Sequence, residues 1–439
     1  MNLFAFGSNG SGQLGIGHEE DVSTPTKCLF ASTEKDEPKE KDKIIQIVAG
    51  GNHTVLLTEL GYVYAVGCNT DGRCGIQSSP QEKSEDSNTT IINRFQRVIL
   101  TDTRTGAKIE RFKHIAATWE GSILVAEVSL DGTKEDKVFV HGSSPKGELG
   151  TGNPPAPAPS VAPGTSIPNF PPTGTKILAL AASMSHAVCI LSNNSVYGWG
   201  GSRKGQLGEN LKPEKIIWTP SKVSGIPFTA TSAVCGREFT VIVGDRRQGQ
   251  ISVLGDRANR WGILETCDSA ALQERIRARE RDWDPVQQQG NGNGNQARKE
   301  ASVGSSDANA GASVWGFEEI GASWHGIYVL VRFEKGESEQ ESSSDSGCGI
   351  VAWGRNDRGQ LPGSGTVVRK MAIGSEHGLV VLGDGSVAAF GWGEHGNCGP
   401  ETDQRGNVTE YQVLCLPDGC AGRVIGVGAG CATSWLILD

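Results

Sequence analysis

Seven times along this chain a short apolar run ends in one frame: Gly, four residues, Gly, one residue, Leu or Cys, Gly. The copies are LFAFGSNGSGQLG from Leu3, VYAVGCNTDGRCG from Val63, VFVHGSSPKGELG from Val138, VYGWGGSRKGQLG from Val196, ISVLGDRANRWG from Ile251, VAWGRNDRGQLP from Val351 and VAAFGWGEHGNCG from Val387. The fifth copy reads as one residue short, with Arg260 in place of the second Gly, and the sixth carries Pro362 in place of the last. A frame that returns at intervals of tens of residues is one supersecondary unit built again and again, each copy burying its apolar faces against its neighbours.

A second pattern occurs once per repeat: VAGGNHTVLL from Val48, AATWEGSILV from Ala116, AASMSHAVCI from Ala181, VCGREFTVIV from Val234, GASWHGIYVL from Gly321, IGSEHGLVVL from Ile373 and GAGCATSWLI from Gly428. Each reads as a strand, a short turn and a second strand. His53, His186, His325 and His377 are read as sharing one slot, filled by Gly121, Phe239 and Thr433 in the other copies. The strands are apolar at successive positions (LFAF, TVLL, TVIV), which suits strands covered on both faces. The first glycine frame opens at Leu3 and the last copy of the second pattern runs towards Asp439, so one repeat is split between the two ends of the sequence. Pairing of those ends closes a ring and leaves no exposed sheet edge. The expectation is an all-β fold: a seven-bladed β-propeller of four-stranded blades, one domain over residues 1–439, closed by pairing of the N- and C-terminal strands.

Glycine at 60 of 439 residues is about twice average usage, without a three-residue period. The frame accounts for the excess. Gly7, Gly12, Gly15, Gly67, Gly72, Gly142, Gly147, Gly200, Gly205, Gly354, Gly359, Gly391 and Gly396 are expected at positive-φ or close-approach turn positions. Asn9, Asn69 and Asn356 are read as residues that tolerate a left-handed backbone. His53 and His186 are read as structural, tying their turns together by hydrogen bonds. Taken alone, GWGEHGNCGP (391–400) looks like a metal or catalytic cluster of Glu394, His395 and Cys398. As the seventh copy of the frame it is a turn, and Cys398 takes the position where Leu plugs the space beneath.

The net charge is −9, from 41 basic and 50 acidic residues, so no direct grip on nucleic acid backbone is expected. The 11 cysteines include no C-x-x-C pair, so neither a zinc ribbon nor a thioredoxin-like motif is written. Free thiols suit a reducing compartment. No stretch approaches the roughly 18 apolar residues of a membrane span, and the opening residues lack the order of a secretory signal. Cytoplasm and nucleus are expected, with no membrane partner. The Gly-rich turns lack the G-x-x-x-x-G-K-[ST] order of a phosphate cradle. No catalytic residue, metal ligand or cofactor is expected. Stretches at 32–43, 77–90, 153–174, 268–313 and 335–347 are read as surface loop insertions, the third Pro-rich and extended, the fourth opening with a short charged helix over 268–284.

Chain reversal places both turn classes on one face of the disc. That face is expected to bind a protein partner through Trp119, Glu120, Arg203, Arg237, Glu238, Trp324, His325, Arg355, Glu376, His377 and His395, with Arg73, Lys146, Met184, Lys204, Arg257 and Arg358 beside them. Exposed Trp and Arg on a ring of turns is the composition of a recognition surface. The competing reading is scattered solvated charge with the Trp side chains packed sideways.

These residues resemble the regulator-of-chromosome-condensation repeat family, whose marks are the G-x-N-x-x-G-Q-L-G and G-x-x-H-T turns. Within it, AFGSNGSGQLGIGHEED, GSEHG (374–378), GWGEHGNCGP and GCATSWLIL are similar to the fungal alpha-tubulin suppressor group, the killer-toxin-insensitivity propellers. The longer insertions and the Pro-rich segment depart from that pattern. The resemblance implies a non-catalytic interaction propeller that forms a heterodimer with the small zinc-binding protein of diphthamide biosynthesis. Through it the pair would serve diphthamide formation and, indirectly, Elongator-dependent modification of the tRNA wobble uridine. The alternative implied by the wider family is a guanine-nucleotide exchange factor for a small GTPase. An enzyme is the third class, with no residues to carry it.

Overall fold

The computed structural model describes residues 2–31, 42–76, 90–130, 132–152, 160–255, 259–281, 316–332, 348–363, 365–416 and 422–439. Its strands form seven radial antiparallel sheets around a channel, the expected seven-bladed propeller. Blade one takes both ends of the sequence, in the order Val22–Lys27, Asn2–Gly7, Thr433–Leu438, Val424–Ala429 from rim to channel. Blade two holds Ile44–Ala49, His53–Thr58, Val63–Cys68 and Ile91–Arg97 from channel to rim; blade three holds His114–Ala117, Gly121–Leu130, Thr133–Gly142 and Val161–Ser166. Blade four holds Ile177–Ser183, His186–Leu191, Val196–Gly201 and Ile216–Val223, and blade seven Val368–Ile373, His377–Leu382, Val387–Trp392 and Asn407–Val413.

Blades five (Ser232–Cys235, Phe239–Val243, Ile251–Gly255) and six (Glu319–Ala322, Gly326–Arg332, Cys348–Gly354) show three regular strands among the described residues. At the rim of blade five a fourth strand is reduced to one bridge, Ser252 with Asp268, and the bond from Val253 N–H to the Cys267 carbonyl at 2.9 Å. The chain then turns into the helix Ser269–Arg281, with Asp268 accepting from the Ala271 amide. In blade six the segment from Gly354 to Val368 is nearly filled by the glycine turn, and the chain passes straight to blade seven.

The insertions differ in part from the sequence reading. The helix forms where expected, but it is no free surface excursion: Leu272 and Ile276 are buried in the core cluster that holds Ile263, Val351 and Trp353. Of the Pro-rich stretch, Val161–Ser166 is the outer strand of blade three. Residues 32–41, 77–89, 153–159, 282–315 and 333–347, which carry most of the predicted loops, lie outside the described residues.

Closure is by register. Asn2 faces Leu438, and the pairing continues through Phe4 with Leu436 to Gly7 with Thr433. All thirteen glycines named above have positive φ. At Gly7 (φ 112) a Cβ would also strike the carbonyl of Ala432, so both torsion and space require glycine. The asparagines do something else than expected. Asn9, Asn69 and Asn356 are absent from the positive-φ residues, and each side-chain oxygen instead accepts from the amide of the plugging residue, Leu14 (3.0 Å), Cys74 (3.0 Å) and Leu361 (2.9 Å).

The same bond corrects the fifth frame. Leu264 donates to the Asn259 side chain at 3.1 Å, and Gly262 has φ 70. Asn259, Gly262 and Leu264 therefore play the parts of Asn9, Gly12 and Leu14. The sequence has two more residues between Gly255 and Asn259 than between Gly7 and Asn9, where the frame suggested a residue missing, and Arg260 does not replace a glycine.

The histidines of the second pattern latch neighbouring blades. His53 Nε2 lies 3.0 Å from Ser122 Oγ, His186 Nε2 2.9 Å from Thr240 Oγ1, and His377 Nε2 2.9 Å from Ser434 Oγ. The Ser122 and Ser434 hydroxyls donate to the carbonyls of Arg73 and Asn397, each at 2.7 Å. Their only proton is thereby used, so Nε2 of His53 and His377 carries the hydrogen of the latch. A Cβ at Gly50 or Gly374 would collide with the His53 or His377 ring, which explains the glycine three residues earlier. His325 was misassigned to this slot. The register pairs His53, His186 and His377 with Gly67, Gly200 and Gly391, but Gly354 pairs with Gly326, so His325 sits one residue earlier, in the turn.

Two outcomes follow from this architecture. Removing residues 430–439 takes the strand that joins the two halves of blade one, and the truncated chain should lose its cooperative thermal transition; a transition at the full-length Tm would contradict closure by this strand. Burial also holds the latch histidines neutral, with His53 lowered to about 3 and His186 and His377 to about 4. Between roughly pH 6.5 and 4 the unfolded chain therefore binds protons that the folded chain refuses, and stability falls as pH drops through that window, by up to about 3 kcal/mol per histidine. Urea midpoints recorded from neutral pH downwards should decline accordingly; a flat profile would show that these rings are not held neutral.

Candidate partner-binding face

The first-class turns converge on the mouth of the channel and are stitched together by backbone bonds. Gly51 N–H donates to the Trp119 carbonyl (2.9 Å), Trp119 to Met184 (3.1 Å), Arg237 to Trp324 (3.1 Å), Trp324 to Ser375 (2.9 Å) and Ser375 to Gly430 (2.9 Å). Each bond crosses from one blade to the next, so the turns of blades two to four form one run of a collar and those of blades five, six, seven and one form the other. On this collar, Trp119 from blade three and Trp324 from blade six meet across the channel, ring centroids 5.9 Å apart and tilted by 50°. Trp119 packs flat over Gly51, where any Cβ would strike the indole. Beneath the two indoles lies a void of about 130 Å3, continuous in its lining with the Ala- and Ile-walled channel below. Trp119 remains 37% exposed, so the pair caps the channel and offers an aromatic platform outside.

Two depressions flank the platform. One, of about 740 Å3, lies among Trp119, Lys146, Met184, Arg203, Lys215 and Arg237. The other, of about 490 Å3, lies among Arg237, Arg260, Trp261, Trp324, His325 and Arg355. Arg237 and Glu238 line both. The Arg237 guanidinium sits 5.6 Å from the centre of the Trp324 ring, within cation–π reach. Arg355 is held by Asp357 through two bonds (2.6 and 2.9 Å) and by Glu376 at 2.9 Å. His325 is half-buried, and burial together with Arg237, Arg355 and Arg260 lowers its pKa to about 4. It is neutral at physiological pH.

Of the residues expected on this face, Trp119, Glu120, Arg203, Arg237, Glu238, Trp324, His325 and Arg355 line these depressions. Two do not. His377 is 1% exposed and is the latch between blades seven and one, while Glu376 is 5% exposed with its carboxylate spent on Arg355 and Gln360. Neither is offered to a partner, because the strand that follows the turn carries them inward. His395 is exposed on the outer turn of blade seven, 3.0 Å from Asp21 of blade one, and lines neither depression. Arg257 lies outside the described residues. Arg358 stacks on Trp392 at 4.4 Å. The sequence reading missed Trp261 and Arg260 as wall residues; the signal was the Asn259-to-Leu264 spacing, identical to Asn9-to-Leu14. Cys398 is fully buried, and burial pushes its thiol pKa up. Among the described residues no group of three or more His, Cys, Asp or Glu is placed to hold a metal ion, and no helix is long and apolar enough to cross a membrane.

Fold and face together define a seven-bladed β-propeller with a stitched collar of turns around an aromatic cap. Residues 2–57 and 193–243 match the Regulator of chromosome condensation (RCC1) repeat, and residues 44–73 match a second form of it. An RCC1 repeat-containing protein of Schizosaccharomyces pombe is 28% identical over 442 residues, covering 100% of this chain and 99% of that one. A secretion-regulating guanine nucleotide exchange factor of Mus musculus is 26% identical over 449 residues, covering 98% of this chain and 82% of the relative. Among solved structures, Prp20p of Saccharomyces cerevisiae, described with its binding properties to Gsp1p and histones, superposes with a TM-score of 0.56 at 16% identity, over 99% of this chain and 90% of that one. At that identity the likeness is one of fold.

Proposed function

We propose that this chain is a non-catalytic interaction propeller that docks an acidic protein partner on the turn face around Trp119, Arg237 and Trp324. The observation that carries this reading is the Trp119–Trp324 platform set among arginines and lysines, on a chain whose net charge is −9. Large rigid aromatic area next to directional cations is what anchors an interface. The resemblance to the alpha-tubulin suppressor group supports the small zinc-binding protein of the diphthamide pathway as that partner. The heterodimer would serve diphthamide formation and, indirectly, Elongator in tRNA wobble-uridine modification, in cytoplasm and nucleus. A second reading, exchange factor for a small GTPase, is supported by the mouse relative's name and its alignment along 98% of this chain.

The two readings separate in one experiment. The purified chain is titrated with the recombinant zinc protein, and in parallel assayed for release of labelled GDP from small GTPases. Trp119→Ala and Trp324→Ala should each cost about 2 kcal/mol or more of binding to the zinc protein, roughly a thirty-fold loss. Lys222→Ala, on the outer strand of blade four, should change nothing, and Arg203→Ala should act mainly on association rate and salt dependence. If both Trp variants keep the native Tm and bind as the parent does, the interface lies elsewhere. Accelerated GDP release without binding of the zinc protein would favour the second reading.

A further inference from the structure

The depression over blades five and six has a chemistry of its own, and reading it rests on the turn face being the recognition surface. Its outer wall is made by Arg260 and Trp261 of the fifth turn beside Arg355 of blade six. The Trp261 ring has the Arg260 guanidinium 4.8 Å and the Arg355 guanidinium 5.2 Å from its centre, and the His325 ring 6.2 Å away. Across the depression, Arg237 lies over Trp324.

The cations are not equivalent. Arg355 is neutralised by Asp357 and Glu376. Among the described residues, no carboxylate lies within ion-pair distance of Arg237 or Arg260, and both are exposed. The site thus combines two guanidinium forks open to a carboxylate, two indole faces, and a neutral imidazole that adds hydrogen bonding without further charge. About 490 Å3 accommodates a few side chains and not a folded domain. Glu238 and Asp357 also line it, which sets it against a dianionic phosphate or a polyanionic backbone and leaves singly charged carboxylates as the better match.

We propose that this depression captures a linear acidic segment of a protein partner, seating an Asp or Glu carboxylate against Arg237 and Arg260 and a neighbouring aromatic side chain against Trp261 and Trp324. The test uses a fluorescein-labelled peptide, Ser-Asp-Phe-Asp-Glu-Ser, titrated with the full chain and read by anisotropy. Its neutral counterpart, Ser-Asn-Phe-Asn-Gln-Ser, and unlabelled inorganic phosphate as competitor complete the set. The acidic peptide should bind saturably, and Arg260→Ala and Trp261→Ala, each with native Tm, should weaken it by roughly tenfold. Arg260→Lys should recover only part of the loss, since a point charge replaces a fork. Lys222→Ala, on the outer strand of blade four, should bind the peptide as the parent does. Equal binding of the neutral peptide, full displacement by phosphate, or unchanged affinity in folded Arg260→Ala and Trp261→Ala overturns the proposal. Loss of zinc-protein binding in Trp119→Ala without any peptide binding would remove this inference while leaving the recognition face in place.

Discussion

Everything in this molecule depends on each blade finding the next. A single four-stranded sheet cannot cover its own two apolar faces, and the strands here are apolar on both sides, so no blade is stable alone. Two kinds of bond hold the neighbours in register. Buried latches such as His53–Ser122–Arg73 tie one blade's turn to the next blade's second strand, and the collar of amide-to-carbonyl bonds joins the turns at the channel mouth. The latch from His377 to Ser434 and the bond from Ser375 to Gly430 join blade seven to blade one, and so form only when the ring is complete. The strand pair Asn2–Gly7 and Thr433–Leu438 supplies that completion, which makes one antiparallel pairing the condition for all the rest.

The proposed recognition face is a by-product of that same collar. Because the turns are pinned by their backbones, the side chains between the pinned atoms have nowhere to go but over the channel or outward. Trp119 and Trp324 go over it, and lean on each other. Arg237 goes outward and leans on Trp324. The platform is rigid before any partner arrives, and a pre-organised aromatic surface loses little entropy when it is covered.

How much of this could be read from the residues divides along a physical line. The glycine frame is local: positive φ and close approach are imposed by neighbours a few residues away, so spacing alone located the turns and counted the blades. The split repeat gave closure for the same reason. What failed needed either register or three dimensions. His325 was placed one residue off because a pleated strand changes face with every residue, and only the pairing of Gly326 with Gly354 fixes the count. Asn9 and its equivalents were given a backbone role, where their side chains bond an amide five residues on. The three-stranded form of blade six among the described residues and the buried positions of Glu376 and His377 depend on where the chain goes next, which no local pattern states. The meeting of Trp119 and Trp324 across the channel joins residues from opposite sides of the ring.

The split blade also has a mechanical consequence. Asn2 and Leu438 are partners at the same end of an antiparallel pair, the end opposite Gly7 and Thr433, which adjoin the turns at the channel mouth. Tension applied between the two ends would therefore load the hydrogen bonds of this seam one after another, as in opening a zip, instead of shearing them all at once. Force applied at the two ends thus meets this seam before any other part of the ring. A tether at either end also emerges away from the turns, so the propeller can be held from behind with its indole platform clear.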